Sequence, residues 1–196
     1  MTVIGLTGNI GSGKTLAASY LADLGAVVIN ADEIGHHILD RGSPAYHEVV
    51  EAFGEEYLLL DGNIDRVKLG KLVFAQPEEL DKLNAISHHR LKEEARSRIK
   101  AAKAAEATHI VLEAAILIQA GFTDLVDQIW LIEAGQKQIY HRLDKIFNKV
   151  EIKNRIAAQM TPEEMRKYAD VIILNDSTVE ELQQKIYMEY QKLGDI

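Results

Sequence analysis

Cysteine is absent from the 196 residues. Disulfides, cysteine-ligated zinc and thiol nucleophiles are thereby excluded. Aromatic residues make up only 6% of the chain, a poor supply for the base-stacking platform that single-stranded nucleic acid needs. Positive charge is in deficit: 22 Lys and Arg stand against 30 Asp and Glu, a net charge of -8. A polyanion-binding surface has the opposite balance, although a local basic pocket for one phosphorylated ligand is compatible with it. Long apolar runs are missing too, and the first residues lack the basic start and apolar core of a signal peptide. The composition therefore leads us to expect a cytoplasmic protein that binds neither nucleic acid nor membrane.

What remains is an ordinary globular composition, 47% hydrophobic and 27% charged, long enough for one α/β domain with a subdomain inserted into it. Val3-Ile4-Gly5-Leu6-Thr7 is a strand-sized apolar run that ends at a glycine-rich stretch. From Lys14 to Leu24 the pattern turns helical, with Leu16, Ala17, Tyr20, Leu21 and Leu24 on one apolar face. Gly25 ends that helix, and Ala26-Val27-Val28-Ile29 reads as a second buried strand. Residues 33–105 then read as helices punctuated by turns at Gly42-Ser43-Pro44 and Asp61-Gly62-Asn63. Strand-like runs return at Ile110-Val111-Leu112, at residues 128–132 and at residues 171–174. Basic helical stretches cover roughly 136–147 and 149–159, and a last helix covers 178–192. Between the first strand and the first helix, Gly8 to Thr15 fit the phosphate-loop pattern G-x-x-x-x-G-K-[ST], so the expected fold class is α/β: one domain over 1–196 whose P-loop NTPase core (1–32, 106–135 and 160–196) has a parallel sheet flanked by helices. Into it are set a helical insert (33–105) and a helical lid (136–159).

Gly8-Asn9-Ile10-Gly11-Ser12-Gly13-Lys14-Thr15 meets every fixed position of G-x-x-x-x-G-K-[ST]. Glycines let the backbone curl so that its N–H groups face phosphate oxygens, and the following helix turns its positive end to them. Gly8, Gly11, Ser12, Gly13, Lys14, Thr15 and Leu16 are the candidate nucleotide-binding residues. Lys14 is also a catalytic candidate, as the charge that follows the γ-phosphate, and Thr15 is the candidate Mg²⁺ ligand. A chance match somewhere in the chain has odds of roughly one in a hundred, and the strand before and helix after supply the required context. Asn148-Lys149-Val150-Glu151 approaches the N-K-x-D base-reading motif of GTPases but ends in the wrong acid. The adjacent pairs His36-His37 and His88-His89 point about 100° apart on a helix and make no two-ligand face.

With a helical insert after its second strand, the chain looks like a metabolite or nucleoside kinase, and specifically resembles the dephospho-coenzyme A kinase family. The matching stretches are Ile4-Gly5-Leu6-Thr7-Gly8, Asn30-Ala31-Asp32, Asp61-Gly62-Asn63-Ile64-Asp65-Arg66, residues 69–74, Leu83-Asn84-Ala85-Ile86-Ser87-His88, Arg155-Ile156-Ala157-Ala158-Gln159, Ala169-Asp170 and Asn175. They run in the family's order through nearly the whole chain. The resemblance implies transfer of the ATP γ-phosphoryl group, with Mg²⁺, to the ribose 3′-hydroxyl of dephospho-coenzyme A. It places the proton-accepting carboxylate at Asp32, for which the sequence also allows a helix cap. The acceptor-binding insert would contribute Asp32, Arg66 and His88, although Arg66 also suits a structural salt bridge and His88 a surface or packing position. Arg142 falls in the lid, where a solvated helix face is the alternative, and Asn175 falls at the loop that meets adenine, where an Asx turn is the alternative.

The chain departs from the family pattern in several places. His89 stands where proline is usual, the lid is shortened with Lys145 nearest to its second arginine, Ala115 replaces a proline, and Gln119 replaces a glutamate. Glu113 stands for an aspartate and keeps a carboxylate at a strand end, usable for a Mg²⁺-bound water. Two rival readings remain at this point: a kinase for another acceptor such as a nucleoside monophosphate, and a nucleotide-binding protein without turnover.

Overall fold

The computed structural model describes residues 1–194. Five parallel strands form one sheet: β1 (Thr2–Thr7), β2 (Val27–Asn30), β3 (His109–Glu113), β4 (Gln128–Glu133) and β5 (Val171–Leu174), in the order β2-β3-β1-β4-β5. The central strand β1 pairs with β3 through Leu6 and Glu113 and with β4 through Thr7 and Leu131. From β1 the chain runs to β2 at one edge, whereas from β3 it crosses β1 to reach β4 on the other side, so the carboxyl edge at the adjacent strands β1 and β3 is a topological switch point, where ligands of open α/β sheets collect. Most of the buried polar residues gather at that edge: Thr7, Ser12, Glu113, Glu133 and Asn175. The parallel α/β class expected from the sequence is the class observed.

One face of the sheet carries Ile4, Leu6, Val111, Trp130, Ile132 and Ile173 against α1 (Lys14–Asp23) and α9 (Val179–Gly194). Two sequence expectations need correction here. Leu16 is more than a third exposed, and α1 presents Ala17, Ala18 and Leu21 to the core instead. The small alanines let the helix lie close to the sheet, and Leu16 lies about 100° round from Ala17. Likewise β2 is not a buried strand: Ile29 is buried, but Val27 is exposed, because β2 is an edge strand paired only with β3.

The chain divides into two compact units. The first comprises 1–30 and 98–196, the second Ala31–Ser97. Besides the elements above, the first holds α6 (Gln136–Leu143), α7 (Lys149–Ala157) and α8 (Pro162–Arg166). The second is built from α2 (Ala31–His37), α3 (Pro44–Phe53), α4 (Arg66–Ala75) and most of α5 (Pro77–Ala104), the boundary falling inside α5. Its own core is Tyr46, Val49, Phe53, Ile64, Leu69 and Val73, with Leu83 and Ile86 of α5 packed on it. Ser43 caps α3 by accepting from the Tyr46 N–H (3.0 Å), with Pro44 at the first helical position. The Asp61-Gly62-Asn63 turn is tied back by the Tyr46 hydroxyl, which donates to the Gly62 carbonyl (2.7 Å). Among the described residues no helix is long and apolar enough to cross a membrane.

At the opposite edge of the sheet His109 is buried, its ring edge-on to Tyr190 with centroids 5.1 Å apart. Burial first, and the positive N-terminal amine second, push its pKa below the ordinary 6.5. The unfolded chain then takes up a proton that the folded chain resists, so this group's contribution is complete above about pH 6.5 and is lost as the pH falls below it. Urea unfolding at about pH 7 and about pH 5.5 is expected to show a smaller acid loss in His109→Phe, which keeps the ring and removes the titration. An equal loss in both proteins would contradict this.

Candidate active site

The loop between β1 and α1 opens with a tight turn in which the Ser12 N–H donates to the Asn9 carbonyl (3.0 Å). Gly11 has φ 75° while Ile10 is not in the positive-φ region, the pattern of a type II turn, whose third residue needs glycine. Gly13, φ 98°, then leads into α1. The loop's carbonyls are gripped from outside. Arg142 of α6 donates to the carbonyls of Gly11 (2.9 Å), Ser12 (3.3 Å) and Asn175 (2.8 Å). The Asn175 side-chain amide also donates to the Ser12 carbonyl (2.7 Å). In a trans peptide the N–H points opposite to the carbonyl, so fixing the Ser12 carbonyl outwards turns the Gly13 N–H inwards. The result is a cradle whose amides suit an anion.

A buried carboxylate closes the floor. Glu113, at the end of β3 and only 2% exposed, accepts from the Thr15 hydroxyl (2.8 Å) and from the Asn30 side-chain amide (3.2 Å). Lys14 Nζ lies 3.8 Å from the same carboxylate. A charge this deeply buried persists only when paired and hydrogen-bonded, and these three residues supply both. Thr15 and Glu113 together present hard oxygen ligands of the kind Mg²⁺ takes. The Ser12 hydroxyl, buried within the loop, has no hydrogen-bond partner among the described residues. A second acid, Glu133 at the end of β4, is held bidentately by Arg166 of α8 (2.7 Å to each oxygen). Among the described residues no group of three or more acidic or histidine side chains is placed to hold a metal ion by itself.

The α6–α7 segment leans on the loop's apex. Ile10 packs against the cluster of Ile139, Leu143 and Ile152. The Ile10 N–H donates to the Gln159 side-chain oxygen (2.9 Å), and the Asn9 side-chain amide donates to the Met160 carbonyl (3.3 Å). Arg142 is therefore not a solvated helix-face residue, and the Asn175 amide is spent on the loop rather than on an Asx turn. The near-miss base-reading motif has a local explanation: Asn148 caps α7 and forms a capping box with Glu151. Arg155 lies over the Phe147 ring, 4.2 Å from its centroid, whereas Lys145, Lys149 and Lys153 are exposed.

The remaining candidates belong to the second unit. Asp32 lies inside the first turn of α2, which begins at Ala31, so it is not the residue that precedes and caps a helix at Glu33. Its carbonyl accepts from His36 Nδ1 (3.0 Å). Arg66 donates to the His36 carbonyl (2.7 Å) and lies 3.4 Å from Asp40 Oδ1, which fastens it to the end of the same helix that carries Asp32. His88, partly buried on α5, has its pKa lowered by burial, so at neutral pH it is a neutral hydrogen-bonding group. Sequence reasoning gave Gln159 no role at the loop, because no local pattern announces a partner 149 positions away. Glu133 was missed as well; its one local mark is an acid standing directly after the strand-like run 128–132.

The sequence family described as Dephospho-CoA kinase matches residues 2–181. A Dephospho-CoA kinase of Carboxydothermus hydrogenoformans is 41% identical over 194 residues, covering 98% of this chain and 94% of its own. Among solved structures, TT1252 from Thermus thermophilus superposes with a TM-score of 0.82 at 27% identity, covering 98% of this chain and 97% of that one. The Dephospho-CoA kinase from Campylobacter jejuni gives a TM-score of 0.73 at 24% identity, covering 99% and 98%, a likeness of fold alone.

A methyl group on Gly13 would overlap the Asn175 side-chain amide, at a φ that side chains rarely adopt. Gly13→Ala is expected to lose roughly 1–3 kcal/mol of stability together with most nucleotide binding. Adding Asn175→Ala relieves the overlap but not the backbone strain, so thermal denaturation should show partial recovery. A double variant no more stable than Gly13→Ala would argue against this packing.

Proposed function

The chain belongs to the dephospho-CoA kinase family, and from that premise we propose that it transfers the γ-phosphoryl group of ATP to the ribose 3′-hydroxyl of dephospho-coenzyme A, giving coenzyme A and ADP. The observation that carries the reading is the family match from residue 2 to residue 181, which takes in both the phosphate loop and the helical unit. Gly8 to Leu16 bind the polyphosphate through main-chain amides, and the Lys14 ammonium offsets charge on the group in transit. Thr15 would hold Mg²⁺, with Glu113 available to one of its waters, and the ion would supply positive charge against the polyphosphate.

Residues of the helical unit 31–97 take the acceptor. The acceptor's 3′-oxygen forms the new bond to the γ-phosphorus as the bond from that phosphorus to the β-phosphate oxygen breaks, and the hydroxyl proton passes to the Asp32 carboxylate. Arg66 offers a forked cation to an acceptor phosphate, and His88 offers a neutral ring nitrogen. The segment 136–159 acts as a lid, its Arg142 and the neighbouring Asn175 bordering the adenine side. Both substrates are water-soluble metabolites, and the cytoplasm is the compartment we assign.

Purified protein with ATP, Mg²⁺ and dephospho-coenzyme A should form coenzyme A. No product beyond a protein-free control would defeat the assignment, while a faster reaction with a nucleoside monophosphate would move it to another acceptor. Lys14→Ala and Asp32→Asn should each lower kcat by roughly 10²-fold or more. Near-normal turnover in Asp32→Asn would remove that carboxylate from the role of proton acceptor.

A further inference from the structure

We propose that Asn30 is a positioning residue for the metal site: its side-chain amide holds one oxygen of the buried Glu113 carboxylate and so keeps the other oxygen turned to Thr15. The proposal rests on reading Thr15 and Glu113 as the pair that serves Mg²⁺.

The need for such a residue comes from the freedom of a carboxylate to rotate. The last torsion of a glutamate joins an sp³ to an sp² carbon, and its wells are broad and roughly two-fold. Packing around the stem therefore leaves the tilt of the two oxygens to their hydrogen-bond partners. On Glu113 the hydroxyl and the cation fall on the same atom. Thr15 donates to Oε1 (2.8 Å), and Lys14 Nζ lies 3.8 Å from Oε1. Asn30 Nδ2 donates to the other oxygen, Oε2, at 3.2 Å. Rotation of the group moves its two oxygens in opposite directions, so a turn that draws Oε1 off the Thr15 hydroxyl also draws Oε2 off Asn30. The two hydrogen bonds oppose that rotation together, and a carboxylate held at both ends presents its remaining lone pairs in a set direction.

Asn30 is delivered to this position by the sheet. It ends β2 as Glu113 ends β3, and the parallel register sets the two residues opposite one another. The amide thus reaches the acid from a strand rather than from a loop, on a side chain short enough to have few alternatives. Glu113 is buried and Asn30 half-buried, which shields the bond from water. Only a donor serves here: an ionised aspartate has none to offer, and leucine has nearly the shape of asparagine without the amide.

The test measures affinity for a non-hydrolysable ATP analogue by calorimetry, once with Mg²⁺ and once with EDTA. It compares wild type, Asn30→Leu, Asn30→Ala, Glu113→Gln and the double variant combining Asn30→Leu with Glu113→Gln. The ratio of the two affinities is the gain that the protein takes from the metal. Asn30→Leu and Asn30→Ala should each cut that gain by about tenfold, with metal-free affinity within about threefold of wild type, as expected on losing a hydrogen-bond partner behind a carboxylate at a metal. The double variant should lose no more of the gain than Glu113→Gln alone, because Asn30 acts through that carboxylate.

A full gain in both Asn30 variants beside a reduced gain in Glu113→Gln would overturn the positioning role and leave the metal reading intact. An equal fall with and without Mg²⁺ would overturn it as well, since that marks damage to the loop. So would a further loss in the double variant, which would set Asn30 on the metal itself. A gain unchanged in Glu113→Gln would strike the metal reading, and this proposal with it.

Discussion

A peptide cannot present both of its polar groups to the same side, and the phosphate loop depends on that constraint. Its inward amides exist as a set because outward carbonyls are held by something else. Arg142 and Asn175 do the holding at Gly11 and Ser12. These two residues come from α6 and from the end of β5, far apart in sequence, and Arg142 also binds the Asn175 carbonyl. The cradle is therefore built from outside, by groups that need not touch phosphate to matter. Preorganised dipoles of this kind act without reorganisation at the moment of reaction.

Beneath the loop, charge is arranged with similar economy. One buried carboxylate, Glu113, gathers the Thr15 hydroxyl, the Asn30 amide and the Lys14 ammonium. Without it, Lys14 and Thr15 would have no common reference point. Its place at the end of β3 follows from the register, where Asn30 and Leu6 both stand opposite Glu113. Sheet pairing thus delivers the acid, the amide and the start of the loop to one location.

The sequence displayed its local devices clearly. The glycine loop, the strand-sized runs, the Asp61-Gly62-Asn63 turn and the long helix from Pro77 each carry their signal within a short window, and each is present. Burial of edge elements was less legible: Val27 belongs to an apolar run yet faces outwards, because strand order, not composition, decides which strand lies at the edge. Leu16 fails similarly, since a helix beside a sheet can use a narrow alanine face that a hydrophobic count undervalues. Long-range polar partnerships were least legible. Asn175 and Gln159 carry no local mark of the carbonyl and the N–H they reach across the fold.

The most direct test of this account is a crystal structure with a non-hydrolysable ATP analogue. The loop from Gly8 to Thr15 should superpose on the present one within about 1 Å, with the Ser12 carbonyl still on the Asn175 amide and the phosphates against the inward N–H groups. A loop that releases the Ser12 carbonyl and refolds around the phosphates would contradict it.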